Sequence, residues 1–360
     1  MEVRRLWLTQ FRNYRTAEVT FAPGLTAVLG PNGRGKTNLL EALAWLASLR
    51  SFRGSPNEAL VRQGAERAVI RADVDREGRQ LLIEAELAPS GRNRVQINRQ
   101  RLGRAKDLLG ALRVSVFSPD DLVLVKGGPA ERRRFLDDTL VAIHPRHDAV
   151  QSEVERLLRQ RNALLRQVSG RLDDSSAFTL DVWDAKLAEA GEALVLARSE
   201  LLARLAPTVE VAYAAVAGAA VSVRATYEAP WQATGLATAL AQARTTDLRR
   251  GVTTVGPHRD EVLLGLAGMP ARTHASQGEQ RCLALALRLA AHDLVAVVTG
   301  TPPVLLLDDV FSELDASRAN ALLGQLPRCQ TILTSAAGLP KGAVPDKVLL
   351  LDESGIREAA

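Results

Sequence analysis

An α/β fold, with helices packed on a largely parallel sheet and a helical arm inserted in its middle, is predicted by three features of the sequence. The run Gly30-Pro31-Asn32-Gly33-Arg34-Gly35-Lys36-Thr37 separates the strand-like Leu25-Thr26-Ala27-Val28-Leu29 from a helix-patterned stretch starting at Asn38. Val304-Leu305-Leu306-Leu307 is continuously apolar and ends in Asp308-Asp309, the pattern of a strand covered on both faces. Between them, residues 118–250 carry apolar positions at three- and four-residue spacing with few breakers, which is helical periodicity. The expected division is therefore a split nucleotide-binding head, 1–117 plus 251–360, around an arm at 118–250.

Taken in order, Val3 to Phe11, Ala17 to Phe21 and Leu25 to Leu29 read as strands. Ala68 to Val74, Gln80 to Leu87 and Arg94 to Ile97 read as an antiparallel meander, with turns at Arg76-Glu77-Gly78 and Ser90-Gly91-Arg92. Val114 to Phe117 is a further strand, closed by Ser118-Pro119. Helices are expected at Pro129 to Ala142, Arg146 to Val168, Ala177 to Leu205 and Leu236 to Arg249. Arg156, Arg159, Arg161, Arg166 and Arg171 decorate one stretch and read as a solvated face. Glu261 to Leu266 then opens a returning strand–helix alternation, followed by a helix from Gly278 to Val298 and the strand Val304 to Leu307. A helix at Ala316 to Leu326 and strands at Thr331 to Thr334 and Lys347 to Leu351 complete the parallel sheet.

Composition sets bounds on the function. The chain has 360 residues, 46% of them hydrophobic, enough for about two domains. No span reaches the roughly 20 apolar residues of a membrane helix; the nearest run, Val209 to Val223, is short and holds Glu210. Cys282 and Cys329 have no metal spacing and make no disulfide framework, and no leader pattern follows Met1, so a cytoplasmic location is expected. The net charge of +5 is compatible with a polyanionic partner without identifying one. Only six of the 46 basic residues are Lys.

The chemistry begins at the phosphate loop. Glycine turns let backbone N–H groups face a polyphosphate, Lys36 reaches the β- and γ-phosphates, and the Thr37 hydroxyl holds Mg²⁺. Gly30, Pro31, Asn32, Gly33, Arg34, Gly35, Lys36, Thr37 and Asn38 are the expected nucleotide contacts, so a bound nucleoside triphosphate is expected. Asp308, at the carboxyl end of a buried strand, is placed to hold Mg²⁺ with Thr37, and Asp309 to orient the attacking water. Ser276-Gln277-Gly278-Glu279-Gln280 opens a long helix whose first N–H groups are free to receive an anion, although Ser276 alone would serve as an ordinary N-cap. Ser312-Glu313-Leu314-Asp315 follows the acidic pair.

This order of motifs resembles the ABC-type ATPases. The resemblance implies that Ser276 and Gly278 act on ATP held by a second copy, so that Lys36, Asp309, Ser276 and Gly278 together form the catalytic set of an ATP-dependent homodimer. Asn32 and Asn38-Leu39-Leu40-Glu41-Ala42 look more like SMC-type ATPases than transporter subunits, the alternative reading. Leu8-Thr9-Gln10-Phe11-Arg12-Asn13-Tyr14, Ser51-Phe52-Arg53, Phe117-Ser118-Pro119-Asp120-Asp121-Leu122, Glu131 to Asp137 and Gly256-Pro257-His258-Arg259-Asp260, in that order, resemble the RecF family of bacterial replication-repair proteins. Membership would imply ATP and Mg²⁺ as cofactors and DNA binding at gaps or single-strand/double-strand junctions. It would also imply RecR and RecO as partners, a part in loading RecA and in the SOS response, and no membrane association. Arg12 and Asn13 would approach the nucleotide. Residues 117–121 lack a glutamine and the tempting Gln63 lies elsewhere, which leaves the γ-phosphate sensor unassigned. Thr334-Ser335-Ala336 stands where a switch histidine is usual, and Asp309 in place of the commoner glutamate; these two departures from the ABC pattern predict slow turnover. Arg132-Arg133-Arg134 read equally as DNA contacts or as partners of Glu131, Asp137 and Asp138, and the role of His258 is open.

Overall fold

Alternation of apolar and polar residues writes the first sheet of the molecule, a computed structural model that describes residues 1–168, 170, 172–353 and 355–359. Six antiparallel strands run in the order Tyr14–Thr20, Glu2–Phe11, Ala68–Arg76, Arg79–Leu87, Arg94–Ile97, Gln100–Arg101. Register places Leu8, Ile70, Ala85 and Val95 side by side across four strands, and all four are buried. On the opposite face the same pairing lines up Trp7, Arg71, Glu84, Gln96 and Arg101. A strand's period of two turns one sequence into a core face and a charged face.

The second sheet has the order Gly355–Glu358, Lys347–Asp352, Leu25–Leu29, Thr331–Ser335, Val304–Asp308, Val114–Phe117. Its pairs are parallel except at the Gly355–Glu358 edge, an antiparallel strand that the sequence reading did not foresee. Thr331–Ser335 and Val304–Asp308 are buried along their whole length, as continuous apolar runs require. Helix Lys36–Ser48 buries Leu39, Leu43 and Trp45 in the same core as Leu8, Phe11, Val28, Leu306 and Ile332. The two sheets are tied by the Gln330 amide and by Lys347, whose ammonium donates to the Thr20 hydroxyl at 2.6 Å. Gln330 Oε1 accepts from the Val3 N–H at 2.6 Å, while Nε2 donates to the carbonyls of Val3 and Ala22, both at 2.8 Å. These elements belong to one compact unit, Met1–Leu122 with Val211–Val221 and Arg281–Ala360.

The other unit is Val123–Glu210 with Ser222–Gln280, so it takes in residues 251–280 beyond the expected 118–250. It holds helices Pro129–Ile143, Arg146–Val168, most of Asp174–Ala217, and Leu236–Arg250. It is not purely helical. Val223–Glu228 pairs antiparallel with Glu261–Leu266, which pairs in turn with Met269–Pro270. Glu261–Leu266, expected as the start of the returning parallel sheet, thus belongs to a separate three-stranded one. The helix expected to stop at Leu205 continues through Pro207. Pro207 and Ala203, whose carbonyl loses its donor, are both exposed, so water can take up that carbonyl, while Leu205 and Val209 remain fully buried.

Burial overturns the solvated-face reading for one of the arginines, Arg161. Arg161 has no exposed surface; its Nε donates to Asp184 at 2.6 Å and its Nη1 to Asp247 at 2.7 Å and the Thr253 hydroxyl at 2.9 Å. Arg156, Arg159 and Arg166 are partly or fully exposed, and Arg171 lies outside the described residues. Arg198, unremarked in the sequence, is buried in a two-pronged pair with Asp137 at 2.8 and 2.7 Å and donates to the Pro257 carbonyl at 2.8 Å. Helix Gln277–Thr299 is long and apolar enough, by length and composition, to cross a membrane, which the sequence reading had passed over. Its Cys282, Leu283, Ala286 and Ala290 are fully buried inside the protein, as in a core helix.

Candidate nucleotide site

The loop Gly30–Gly35 leaves a buried strand and enters a helix through backbone that only glycine tolerates well. At Gly30 a Cβ would lie 2.1 Å from the Leu351 carbonyl oxygen. Gly35 has φ +105°, and a Cβ there would meet the Asn13 side chain at 2.6 Å. Gly35 offers no side-chain cap to helix Lys36–Ser48, so the first-turn N–H groups face outward as an anion cradle. Asn13 braces the loop from outside: its Nδ2 donates to the Arg34 carbonyl at 2.9 Å and its Oδ1 accepts from Asn38 Nδ2 at 2.8 Å. The Tyr14 hydroxyl donates to the Gly35 carbonyl at 3.0 Å. Asn32 and Gly33 are exposed at the tip, and Arg34 reaches Glu353 at 2.5 Å.

Lys36 is buried, with its ammonium donating to the carbonyls of Gly30 at 2.7 Å and Pro31 at 3.0 Å. Burial pulls its pKa below the usual lysine range, against the opposing pull of Asp309 and Asp308. Thr37 donates its hydroxyl to Asp308 Oδ1 at 2.8 Å. Thr334, fully buried on the adjacent strand, donates to the same oxygen at 2.8 Å and accepts the Asp309 N–H at 3.1 Å. One hydroxyl therefore fixes both acidic positions. Burial pushes the Asp308 carboxyl above its ordinary value, the Thr37 and Thr334 hydroxyls pull it back, Asp309 adds repulsion and the Arg53 charge relieves some of it. Asp309 sits at φ 51°, a left-handed backbone that a non-glycine residue keeps at a cost of order 1 kcal/mol.

The structure thus brings Lys36, Thr37, Asp308 and Asp309 together, with Asn13 and Asn38 as braces. Arg12, expected beside the nucleotide, grips buried Glu41 through Nε and Nη2 at 2.7 Å each, with further bonds to Ser55 and the Ala59 carbonyl. It fastens the helix that carries the loop. Thr334 was read from sequence only as a missing histidine, and Arg53 only as part of a motif. The Thr334 bond to Asp308 depends on the strand order, and the Arg53 charge acts on Asp308 from a distant turn; no local pattern reveals either. In the Phe117–Leu122 segment, Asp121 caps its own turn through the Ser118 N–H and pairs with Arg288 at 2.6 Å; Gln63 is exposed.

Ser276 and Gly278 lie in the second unit. Ser276 is exposed, and its N–H and hydroxyl exchange bonds with Glu279 at 2.7 and 3.3 Å. This is a reciprocal cap that takes up the Ser276 and Glu279 N–H groups at the helix start. The triple arginine meets neither expectation uniformly. Arg132 is buried against Glu261 at 2.9 Å on both prongs, Arg133 donates to the Asp260 carbonyl, and only Arg134 pairs along the helix, with Glu131. His258 Nε2 lies 3.0 Å from the Thr253 carbonyl, which requires the proton on that nitrogen. Burial lowers its pKa to about 4, so the ring is neutral at pH 7.

Among the described residues no three His, Cys, Asp or Glu side chains converge as a metal cage. The Thr37–Asp308 oxygen pair fits a hard cation that takes its remaining ligands from phosphate and water, as Mg²⁺ does.

Comparison with known proteins meets this geometry. The family described as RecF/RecN/SMC N terminal domain matches residues 2–337. A protein of Streptomyces avermitilis named DNA replication and repair protein RecF is 47% identical over 352 residues, 94% of each chain. The solved recombination mediator protein RecF-ATP in the RecFOR pathway superposes with a TM-score of 0.91 at 28% identity, covering 99% of this chain and 97% of that one. An Smc head domain of Pyrococcus furiosus shares the fold, with a TM-score of 0.57 at 17% identity over 99% of this chain and 95% of its own.

Proposed function

The chain belongs to the RecF/RecN/SMC N-terminal domain family, among DNA replication and repair proteins of RecF type; from that premise we propose that it is an ATP-gated clamp on DNA. It is an ABC-type ATPase whose nucleotide site is the loop Gly30–Thr37 with Asp308 and Asp309. The observation that carries the reading is the Thr37–Asp308 hydrogen bond of 2.8 Å, which sets together the two oxygens that would hold Mg²⁺. Thr37 and Asp308 would hold Mg²⁺, which would supply neutralisation of the charge that develops on the phosphates.

The chain's own residues supply the rest. Lys36 exchanges the Gly30 and Pro31 carbonyls for phosphate oxygens. Asp308, oriented by the Thr334 hydroxyl, would hold the cation together with Thr37. Asp309 orients the attacking water and accepts its proton. Ser276 presents its hydroxyl, and Gly278 its backbone N–H, to the γ-phosphate held by a second copy. ATP then binds the closed dimer better than the open monomer, and that difference in affinity drives closure. The closed dimer grips DNA at gaps or junctions, and slow hydrolysis releases it. RecR and RecO are the expected partners, RecA loading and the SOS response the expected setting, the cytoplasm the expected place.

Filter retention of gapped DNA, with and without ATP and Mg²⁺, tests the reading. ATP-dependent retention that falls steeply with salt is the expected result; no retention at any nucleotide concentration contradicts it. A transporter subunit sharing the nucleotide motifs predicts that second result.

A further inference from the structure

The outer edge of the antiparallel sheet carries more positive charge than its neighbours neutralise. Residues 88–106 contain Arg92, Arg94, Arg99, Arg101, Arg104 and Lys106 and no acidic residue. Four of them, Arg92, Arg94, Arg101 and Arg104, line an open cleft of about 670 Å³ together with Arg67. The nearby carboxylates are already taken: Glu84 pairs with Arg71 at 2.6 Å, Glu86 with Arg67 and, at 3.5 Å, with Arg94, and Asp107 with Arg104 at 3.1 Å. Arg92, Arg99 and Arg101 are exposed and have no ion-pair partner among the described residues.

The hairpin that presents them is held firmly. Asn98 and Arg99 turn the chain at φ 51° and 66°, and Asn98 exchanges two bonds of 2.8 Å with the Leu82 backbone. The second turn position suits glycine best, yet it holds an arginine. Charge on an edge strand also guards against sheet-to-sheet pairing, but a guard needs one or two charges. It does not need a cleft ringed by five guanidinium forks, of which Arg92 and Arg101 carry no ion pair and can each take two oxygens of one phosphate.

We propose that this cleft is a DNA phosphate-binding surface, read by backbone charge and not by base sequence. The inference rests on the DNA-binding reading above and adds where the strand is held. The nucleotide site does not use these residues.

The test uses the full chain with ATP and Mg²⁺. The variant Arg92→Gln/Arg101→Gln/Arg104→Gln should keep ATP binding and ATP-dependent dimerisation. Its affinity for gapped DNA should fall on the order of 100-fold at low salt, and the slope of log affinity against log salt should shrink by about 2 to 3, near 0.9 per lost phosphate contact. In the wild-type protein, DNA should protect Arg92 and Arg101 from phenylglyoxal, read by mass spectrometry. An unchanged slope in the variant overturns the assignment. So does protection by poly-glutamate but not by DNA, which would make the cleft a seat for an acidic polypeptide. A wild-type protein that retains no DNA at all overturns both this inference and the reading beneath it.

Discussion

The phosphate loop of the first unit and the arginine cores of the second both bury charge, and they settle it in opposite ways. Arg161 and Arg198 meet carboxylates at 2.6 to 2.8 Å on fixed helices. Those pairs are committed, and breaking one leaves an uncompensated charge in the interior. Lys36 instead leans on two neutral carbonyls, and Asp308 on two hydroxyls. Its partners are exchangeable, so a triphosphate and a cation can replace them without unmaking a salt bridge. Buried charge with charged partners reads as architecture; buried charge with neutral partners reads as a site.

That contrast is open to attack, and the largest effect is expected in the second unit. Arg198→Met should lower the unfolding free energy by about 3 to 5 kcal/mol, because Asp137 stays buried and charged. Adding Asp137→Leu should recover part of the loss, as read from urea midpoints. Equal losses in single and double variants would show that the pair is not the source. At the loop, Lys36→Ala should weaken ATP binding about 100-fold or more through two lost charge-assisted bonds, with little change in the urea midpoint. A stability loss as large as that of Arg198→Met would erase the distinction.

Asp308→Asn reverses the usual sign. Burial raises the folded pKa of Asp308, so its stabilising contribution is full below the unfolded carboxyl value and is lost as pH rises through the folded one. The nucleotide-free Asn variant should therefore melt higher than wild type at pH 7, by a margin that shrinks as pH falls, while losing its response to Mg²⁺-ATP. A variant that melts lower at pH 7 would show that the carboxylate is not under strain. The smallest effect belongs to Thr334→Val, which removes one hydroxyl from Asp308. Turnover should fall about 10-fold, the cost of one hydrogen bond, and its acidic limb should move to higher pH, with Thr334→Ser restoring both. An unmoved pH profile would reduce Thr334 to a packing role.

Much of this was legible in the sequence where the signal is local. The Gly30–Thr37 loop, the strand ending at Asp308 and the Ser276 helix start each declare themselves within eight residues. Arg161 did not, because its partners Asp184 and Asp247 lie 23 and 86 residues away and an arginine on a helix looks solvated by default. Val223–Glu228 was missed because only its pairing with Glu261–Leu266 makes a strand of a half-exposed segment. The grip of Arg12 on Glu41, 29 residues away, was likewise beyond any local pattern.

The claim beneath the whole account is that one triphosphate is clasped by two copies, the loop of one and the Ser276 helix start of the other. Sedimentation of Asp309→Asn in saturating Mg²⁺-ATP, beside the same protein carrying Ser276→Arg, tests it directly. The account predicts a dimer for Asp309→Asn and a nucleotide-bound monomer once Ser276→Arg is added. Asp309→Asn sedimenting as a monomer with ATP bound, or a dimer indifferent to Ser276→Arg, would contradict it.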